Sequence, residues 1–259
     1  MAHKVLVMSP LHNKGTTVVS SMITQCLAMN NKTSMIVFTE PSSLLPMYLG
    51  SEGLSDPTRS VMQIVKLIDN GSIDNDDIIE YASTMTTNAY VMNLADASLP
   101  DKDRVQVVTH IYSRVTTNVV VCDNSEDIDT KFTKTLVSES DMIFIVIESS
   151  TKDYKRLKLW VNDPVLKNNP NIYVIINKYN EVIDSVRGIA NFIGFPANKV
   201  CKVHYNPWIT KCCLTGTLHT ILPLAREHDP RVANLLNDID EINQCIDSSI
   251  IMSSKRGSF

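Results

Sequence analysis

The chain reads as an α/β domain built on a doubly wound, mainly parallel sheet of about seven strands flanked by helices. Three observations point there. Short, continuously apolar runs rich in Val and Ile recur along the sequence, and stretches with helical apolar spacing separate them. The first of these runs passes through a short loop straight into a helix-like segment. Continuous apolar runs mark strands covered on both faces. Regular alternation of strand and helix gives a parallel sheet with right-handed crossovers.

The strands are expected at Val5–Met8, Ser34–Thr39, Ala89–Leu94, Asn118–Cys122, Met142–Ile147 and Ile172–Ile176, with a weaker seventh at Val200–His204. Between them the spacing predicts helices at Thr17–Met29, Ser60–Asp69, Asp76–Ser83, Asp103–Thr116, Asp129–Ser138, Lys152–Val161 and Val182–Ile193. Asp229–Ile250 closes the series as an amphipathic helix, with Val232, Leu235, Leu236, Ile239, Ile242 and Ile246 on one face. Residues 253–259 are expected to fray. With 259 residues and no linker or repeat, a single domain spanning 1–259 is expected.

Composition narrows the class. Hydrophobic residues make up 44% and charged residues 20%, ordinary for a globular protein, and a net charge of −4 argues against a globally basic nucleic-acid binder. The six cysteines lack C-x-x-C spacing and are expected as buried free thiols. No signal-peptide pattern opens the chain and no apolar run approaches the ~20 residues of a spanning helix, so a cytoplasmic protein is expected. The six histidines are dispersed without metal spacing. The acidic polar face of Asp229–Ile250 would be repelled by an anionic membrane.

The chemistry concentrates where strands end, because ligands of open α/β sheets bind outside the carboxyl ends of strands. Ser9–Val18 reads S-P-L-H-N-K-G-T-T-V, between a strand and a helix. That is the setting of a phosphate loop, whose pattern G-x-x-x-x-G-K-[ST] wraps backbone N–H groups around phosphates, neutralises them with lysine and holds magnesium with a hydroxyl. Here Gly15 is followed by Thr16 where the lysine belongs, while Lys14 comes one residue early and Thr17 keeps the hydroxyl. Lys14, Gly15, Thr16, Thr17 and Val18 are the candidate nucleotide-binding set. An ordinary turn capped by Thr16 or Thr17 is the alternative.

Glu40 and Asp123 each end a strand beside this loop. An acid in either place holds magnesium or orients an attacking water, or is simply solvated. Both are candidate catalytic residues, with Thr17 and Asp123 as the candidate Mg2+ ligands. Asn177, followed by Lys178, offers one donor and one acceptor to a purine edge. The stretch from His204 through Pro207 and Trp208 either walls a base pocket or packs at a domain edge.

The order of these elements resembles the ParA/MinD superfamily of deviant-Walker ATPases, from about Lys4 to Ile250. The family's first loop, K-G-G-x-G-K-[ST]-T, lands on Leu11 to Val18, its second-strand acid on Glu40, and its strand-end aspartate on Asp123. Its adenine-side asparagine falls on Asn177-Lys178, and its late proline and glycine on Pro207 and Gly216. The Ser-Pro opening and the Gly-Thr pair look most like the TadZ/CpaE group, which positions pilus-assembly and secretion machinery. The resemblance implies a P-loop NTPase fold, ATP and Mg2+ as ligands, and a homodimer. Two departures bear on activity: His12 and Asn13 replace the paired glycines, and Leu11 replaces the lysine that reaches across the family dimer.

Three functions compete. The first is a localisation or assembly factor of weak or absent ATPase activity, recruiting a pilus, secretion or conjugation complex. The second is an active partition ATPase that binds DNA through a basic face of Lys152, Lys155, Arg156 and Lys158, with Lys167 nearby. The third is a scaffold without nucleotide, in which His12 and Asn13 fill the space of the phosphates.

Overall fold

The computed structural model describes residues 2–39, 45–50, 61–71, 77–94, 100–167, 169, 171–182, 185–227 and 229–256. Eight strands form one sheet: β1 (His3–Met8), β2 (Ser34–Phe38), β3 (Ser83–Thr86), β4 (Ala89–Asn93), β5 (Val119–Asn124), β6 (Met142–Glu148), β7 (Ile172–Tyr179) and β8 (Val200–His204). Their order is β3-β4-β2-β5-β1-β6-β7-β8. Every pairing is parallel except β3 with β4.

Among the described residues twelve α-helices cover the two faces: α1 (Thr16–Met29), α2 (Leu45–Tyr48), α3 (Val61–Asp69), α4 (Asp77–Glu80), α5 (Asp101–Arg114), α6 (Lys131–Glu139), α7 (Thr151–Trp160), α8 (Pro164–Lys167), α9 (Val186–Ile193), α10 (Pro207–Thr215), α11 (Ile221–Arg226) and α12 (Ala233–Arg256). Strand side chains alternate between two cores, as the period of two requires. Leu6, Val120 and Ile145 pack under α3 to α9. Val5, Val121 and Phe144 pack under α1, α10, α11 and α12. All six predicted apolar positions of the last helix belong to this second core, with Leu236 only partly covered.

The sheet agrees with the expected count of about seven strands and adds one, β3. Ser83, assigned above to a helix, begins β3; the helix there is reduced to α4. Thr84 and Thr86 favour extended backbone, and Asn88 takes φ 65° in the turn into β4, a conformation asparagine tolerates in tight hairpins. Other departures are at element ends. Helix α9 starts at Val186 rather than Val182 because the Ser185 hydroxyl accepts from Gly188 N. Asp229 lies outside α12, bound to the backbone N and guanidinium of Arg231. The helix itself runs through Ser253 to Arg256.

Register aligns the functional ends of the strands. Asp123 on β5 lies opposite Val7, Glu148 on β6 opposite Asn177 on β7, and Tyr179 opposite His204 on β8. At one side of this row the backbones of Gly50 and Gly216 nearly touch: a Cβ on Gly50 would stand 2.9 Å from the Gly216 carbonyl oxygen.

Candidate nucleotide-binding cleft

Between the loop after β1 and the start of α10 runs a cleft of about 510 Å³. Gly15, Thr16, Thr17, Val18, Asn177 and Lys178 line it toward the loop, and Tyr48, His204, Tyr205, Ile209 and Cys213 line it elsewhere. Its size falls in the range of small-molecule sites. Six of the eight residues expected to bind nucleotide therefore share one cleft. Lys14 and Pro207 do not line it; Pro207 begins α10 and borders a neighbouring hollow.

The loop is shaped by short-range bonds. Ser9 Oγ donates to Leu11 O at 2.8 Å and accepts from Leu11 N. Asn13 has φ 61°, standing in for one of the missing glycines in the left-handed region it can tolerate. Gly15, at φ 83°, directly precedes α1, and a Cβ there would meet Asn177 Nδ2 at 2.3 Å. Any side chain there meets both the Asn177 amide and a backbone conformation that favours glycine.

The capped-turn alternative fails. No side chain caps α1, so its first N–H groups open toward the cleft with the positive end of the helix dipole. The Thr17 hydroxyl goes instead to Asp123 Oδ2 at 2.7 Å. His12 and Asn13, which the nucleotide-free alternative places in the phosphate space, are both exposed and border the cleft.

Lys14 turns its charge elsewhere. Its Nζ lies 3.2 Å from Glu148 and 3.1 Å from Asp153, and Lys178 Nζ meets Glu148 from the other side at 2.6 Å. Burial works against both charged groups, yet the hydrogen bonds outweigh it, so the Lys14 ammonium titrates above its usual range and Glu148 below. The Lys14 carbonyl accepts from Asn177 Nδ2 at 2.8 Å, while Asn177 Oδ1 accepts from Lys178 N. Both ends of the amide expected to read a base are thus engaged within the protein.

Asp123 is buried, and its backbone carbonyl accepts from Thr39 N and Oγ1 at the end of β2. Glu40 lies outside the described residues. Just before it, Arg104 from α5 donates to Thr39 O at 2.9 Å and stacks on Phe132. No group of three His, Cys, Asp or Glu side chains fit to hold a metal occurs among the described residues. Magnesium does not ask for one, since it binds through one or two protein oxygens with phosphate and water. The adjacent Thr17 hydroxyl and Asp123 carboxylate are hard oxygen donors of that kind.

Sequence reasoning missed Glu148, Asp153, Arg104 and Asp238. Glu148 was findable, because in the sequence it follows the apolar run Met142–Ile147 directly, as Asp123 follows Asn118–Cys122. Asp153 and Asp238 sit inside helices, where an acid reads as solvated face. The six cysteines are free and, Cys245 apart, buried, as expected.

No family model matches the chain, and no curated protein matches it in sequence. Solved structures do match in fold. The chain superposes on a chain of the MinC:MinD cell division protein complex from Aquifex aeolicus with TM-score 0.71 at 16% identity, covering 95% of this chain and 96% of that one. It matches the septum site-determining protein MinD complexed with Mg-ADP from Pyrococcus horikoshii with TM-score 0.70 at 13% identity, over 96% and 99% of the two chains. A ParA family ATPase from Chlorobium tepidum gives TM-score 0.71 at 15% identity, over 91% and 97%. The fold is that of the MinD and ParA ATPases. Among the described residues no helix is long and apolar enough to cross a membrane.

Proposed function

We propose that the chain is a ParA/MinD-like localisation or assembly factor of the cytoplasm, nearest in kind to the TadZ/CpaE group. It acts as a homodimer that binds ATP with Mg2+ weakly, turns it over poorly or not at all, and positions a pilus, secretion or conjugation complex. One observation carries this reading: α1 opens uncapped into a cleft of ligand size while Thr16 supplies no charge and Lys14 is held by Glu148 and Asp153. Backbone amides and the helix dipole favour a bound polyphosphate. Without a lysine at the phosphates, much of the electrostatic stabilisation of phosphoryl transfer is missing.

In this reading Gly15 to Val18 cradle phosphate, Thr17 and Asp123 hold Mg2+, and Asn177 and Lys178 line the nucleotide cleft while the Lys178 ammonium stays paired with Glu148. Bound magnesium would neutralise phosphate charge. Asp123 or Glu40 would orient water in whatever hydrolysis remains. Calorimetric titration of the whole chain with ATP and Mg2+ tests the binding, and a steady-state assay tests the turnover. Hydrolysis at ~1 per second or faster would sink the claim of weak activity. Absence of any binding would favour the nucleotide-free scaffold.

A second reading rests on α7, where Lys152, Lys155 and Lys158 are all exposed, while Arg156 pairs with Asp127 at 3.0 Å. An ATP-triggered, salt-dependent association with DNA would favour a partition ATPase; no binding at low salt excludes it.

A further inference from the structure

His204 ends β8 and lines the cleft, three strands away from β1 in the sheet order. Its ring is held on several sides. Nδ1 stands 2.8 Å and 3.0 Å from the two carboxylate oxygens of Asp238, a buried residue of α12. The His204 backbone N donates to the same carboxylate at 2.9 Å. Tyr179 meets the imidazole edge-on, with ring centroids 5.3 Å apart.

A carboxylate only accepts, so in the neutral ring the proton sits on Nδ1 and Nε2 is left as an acceptor. Among the described residues Nε2 has no hydrogen-bond partner. Two amides that also line the cleft are already engaged. Asn177 bonds Lys14 O and Lys178 N, and Asn206 bonds Trp208 N at 2.9 Å and Arg231 O at 2.9 Å. Beside His204 the lining brings together the side chains of Tyr48, Tyr205, Ile209 and Cys213, with Asn206 and Thr210 between them. Such a wall suits a heteroaromatic ring, with one polar atom of fixed sense to orient it.

We propose that His204 Nε2 is the specificity-determining contact to the nucleobase, with Asp238 as its positioning residue. A base presenting an exocyclic amine there, as adenine does, gives a hydrogen bond; a base presenting an oxo group sets acceptor against acceptor. The inference rests on the nucleotide-binding reading and adds to it a residue outside the phosphate loop.

The test is calorimetric titration of the whole chain with Mg2+ and either ATP or ITP at pH 8, ITP carrying an oxo group where ATP carries the amine. The wild type is expected to prefer ATP by about tenfold or more. His204→Phe keeps an aromatic ring against Tyr179 and is expected to bind the two alike. Asp238→Asn presents an amide donor to Nδ1, which moves the ring proton to Nε2. Its preference is expected to fall or turn toward ITP, a change that a merely structural role of Asp238 would not produce. Should His204→Phe fail to fold, Asp238→Asn carries the test. Equal binding of ATP and ITP by the wild type, or an unchanged ratio in Asp238→Asn, would overturn the inference and leave the nucleotide reading intact. A wild type that binds neither would overturn both.

Discussion

Lys14 Nζ lies 3.1 Å from Oδ2 of Asp153, a carboxylate whose side chain has no solvent exposure. The charge that a phosphate loop would direct at its ligand here neutralises an acid at the start of α7. The Ser150 hydroxyl also bonds that carboxylate. Lys14→Met leaves Asp153 buried without a cation, at a cost of about 3 kcal/mol. Denaturant titration should show this loss, and the double variant Lys14→Met, Asp153→Leu should recover most of it. Equal stability of the single and double variants would contradict the pairing.

Glu148 gives that cluster a pH signature. Burial raises its pKa, but hydrogen bonds from Lys178 and Lys14 outweigh this and hold it below the ordinary 4.5. A carboxylate depressed in the folded state contributes stability above its unfolded value, and that contribution is lost as pH falls toward the folded value. Urea midpoints should therefore decline on acidification below 4.5, with a shallower slope in Glu148→Gln. Parallel slopes would exclude the contribution.

Gly15→Ala places a methyl 2.3 Å from Asn177 Nδ2 at a residue with φ 83°. Clash and backbone strain together should cost about 1–3 kcal/mol. Asn177→Ala removes the clash and also the bond to Lys14 O, so Gly15→Ala should cost less stability when added to Asn177→Ala than when added to the wild type, and an equal cost in the two backgrounds would contradict the clash.

Thr17→Val removes the hydroxyl that donates to Asp123 at 2.7 Å. If these two oxygens hold magnesium, the variant should lose about tenfold in Mg2+-dependent ATP affinity. ATP binding measured with chelator should change little. A loss of the same size in both conditions would point to a damaged loop rather than a missing metal ligand.

Restoring the loop asks how much of the site remains. Thr16→Lys with His12→Gly and Asn13→Gly returns the charge and the glycines, and Asn13 already has the backbone of a glycine at φ 61°. The triple variant should bind ATP at least about tenfold more tightly than the wild type. No gain would mean that the lost charge does not limit affinity.

The sheet was legible in the sequence because its strands are continuously apolar, and a buried parallel strand has little alternative to that pattern. Strand β3 was not. It is an edge strand of Ser, Thr and Met, half covered, with no apolar run to betray it. The cleft's loop side was legible because Gly15 and Thr17 follow the first apolar run and Asp123 and Asn177 close two others, which register then aligns. The fate of Lys14 was not, since its partners lie 134 and 139 positions away and only the sheet order brings them together. Asp238 was hidden for a related reason: a polar residue on an otherwise apolar helix face shows its purpose only once β8 packs against it.

The near-contact of Gly50 with Gly216 makes one joint of the cleft unusually intolerant. Strands here are held to one another by ladders of hydrogen bonds, and most helices by interlocking side chains. Where α2 meets the end of α10 the spacing is set by bare backbone: a Cβ on Gly216 would lie 3.1 Å from Gly50 N and Cα. Tyr48 and Cys213, two residues before Gly50 and three before Gly216, both face the cleft. A single methyl at either glycine therefore wedges the wall apart from behind, altering the width of the cleft without replacing any residue that a ligand would touch.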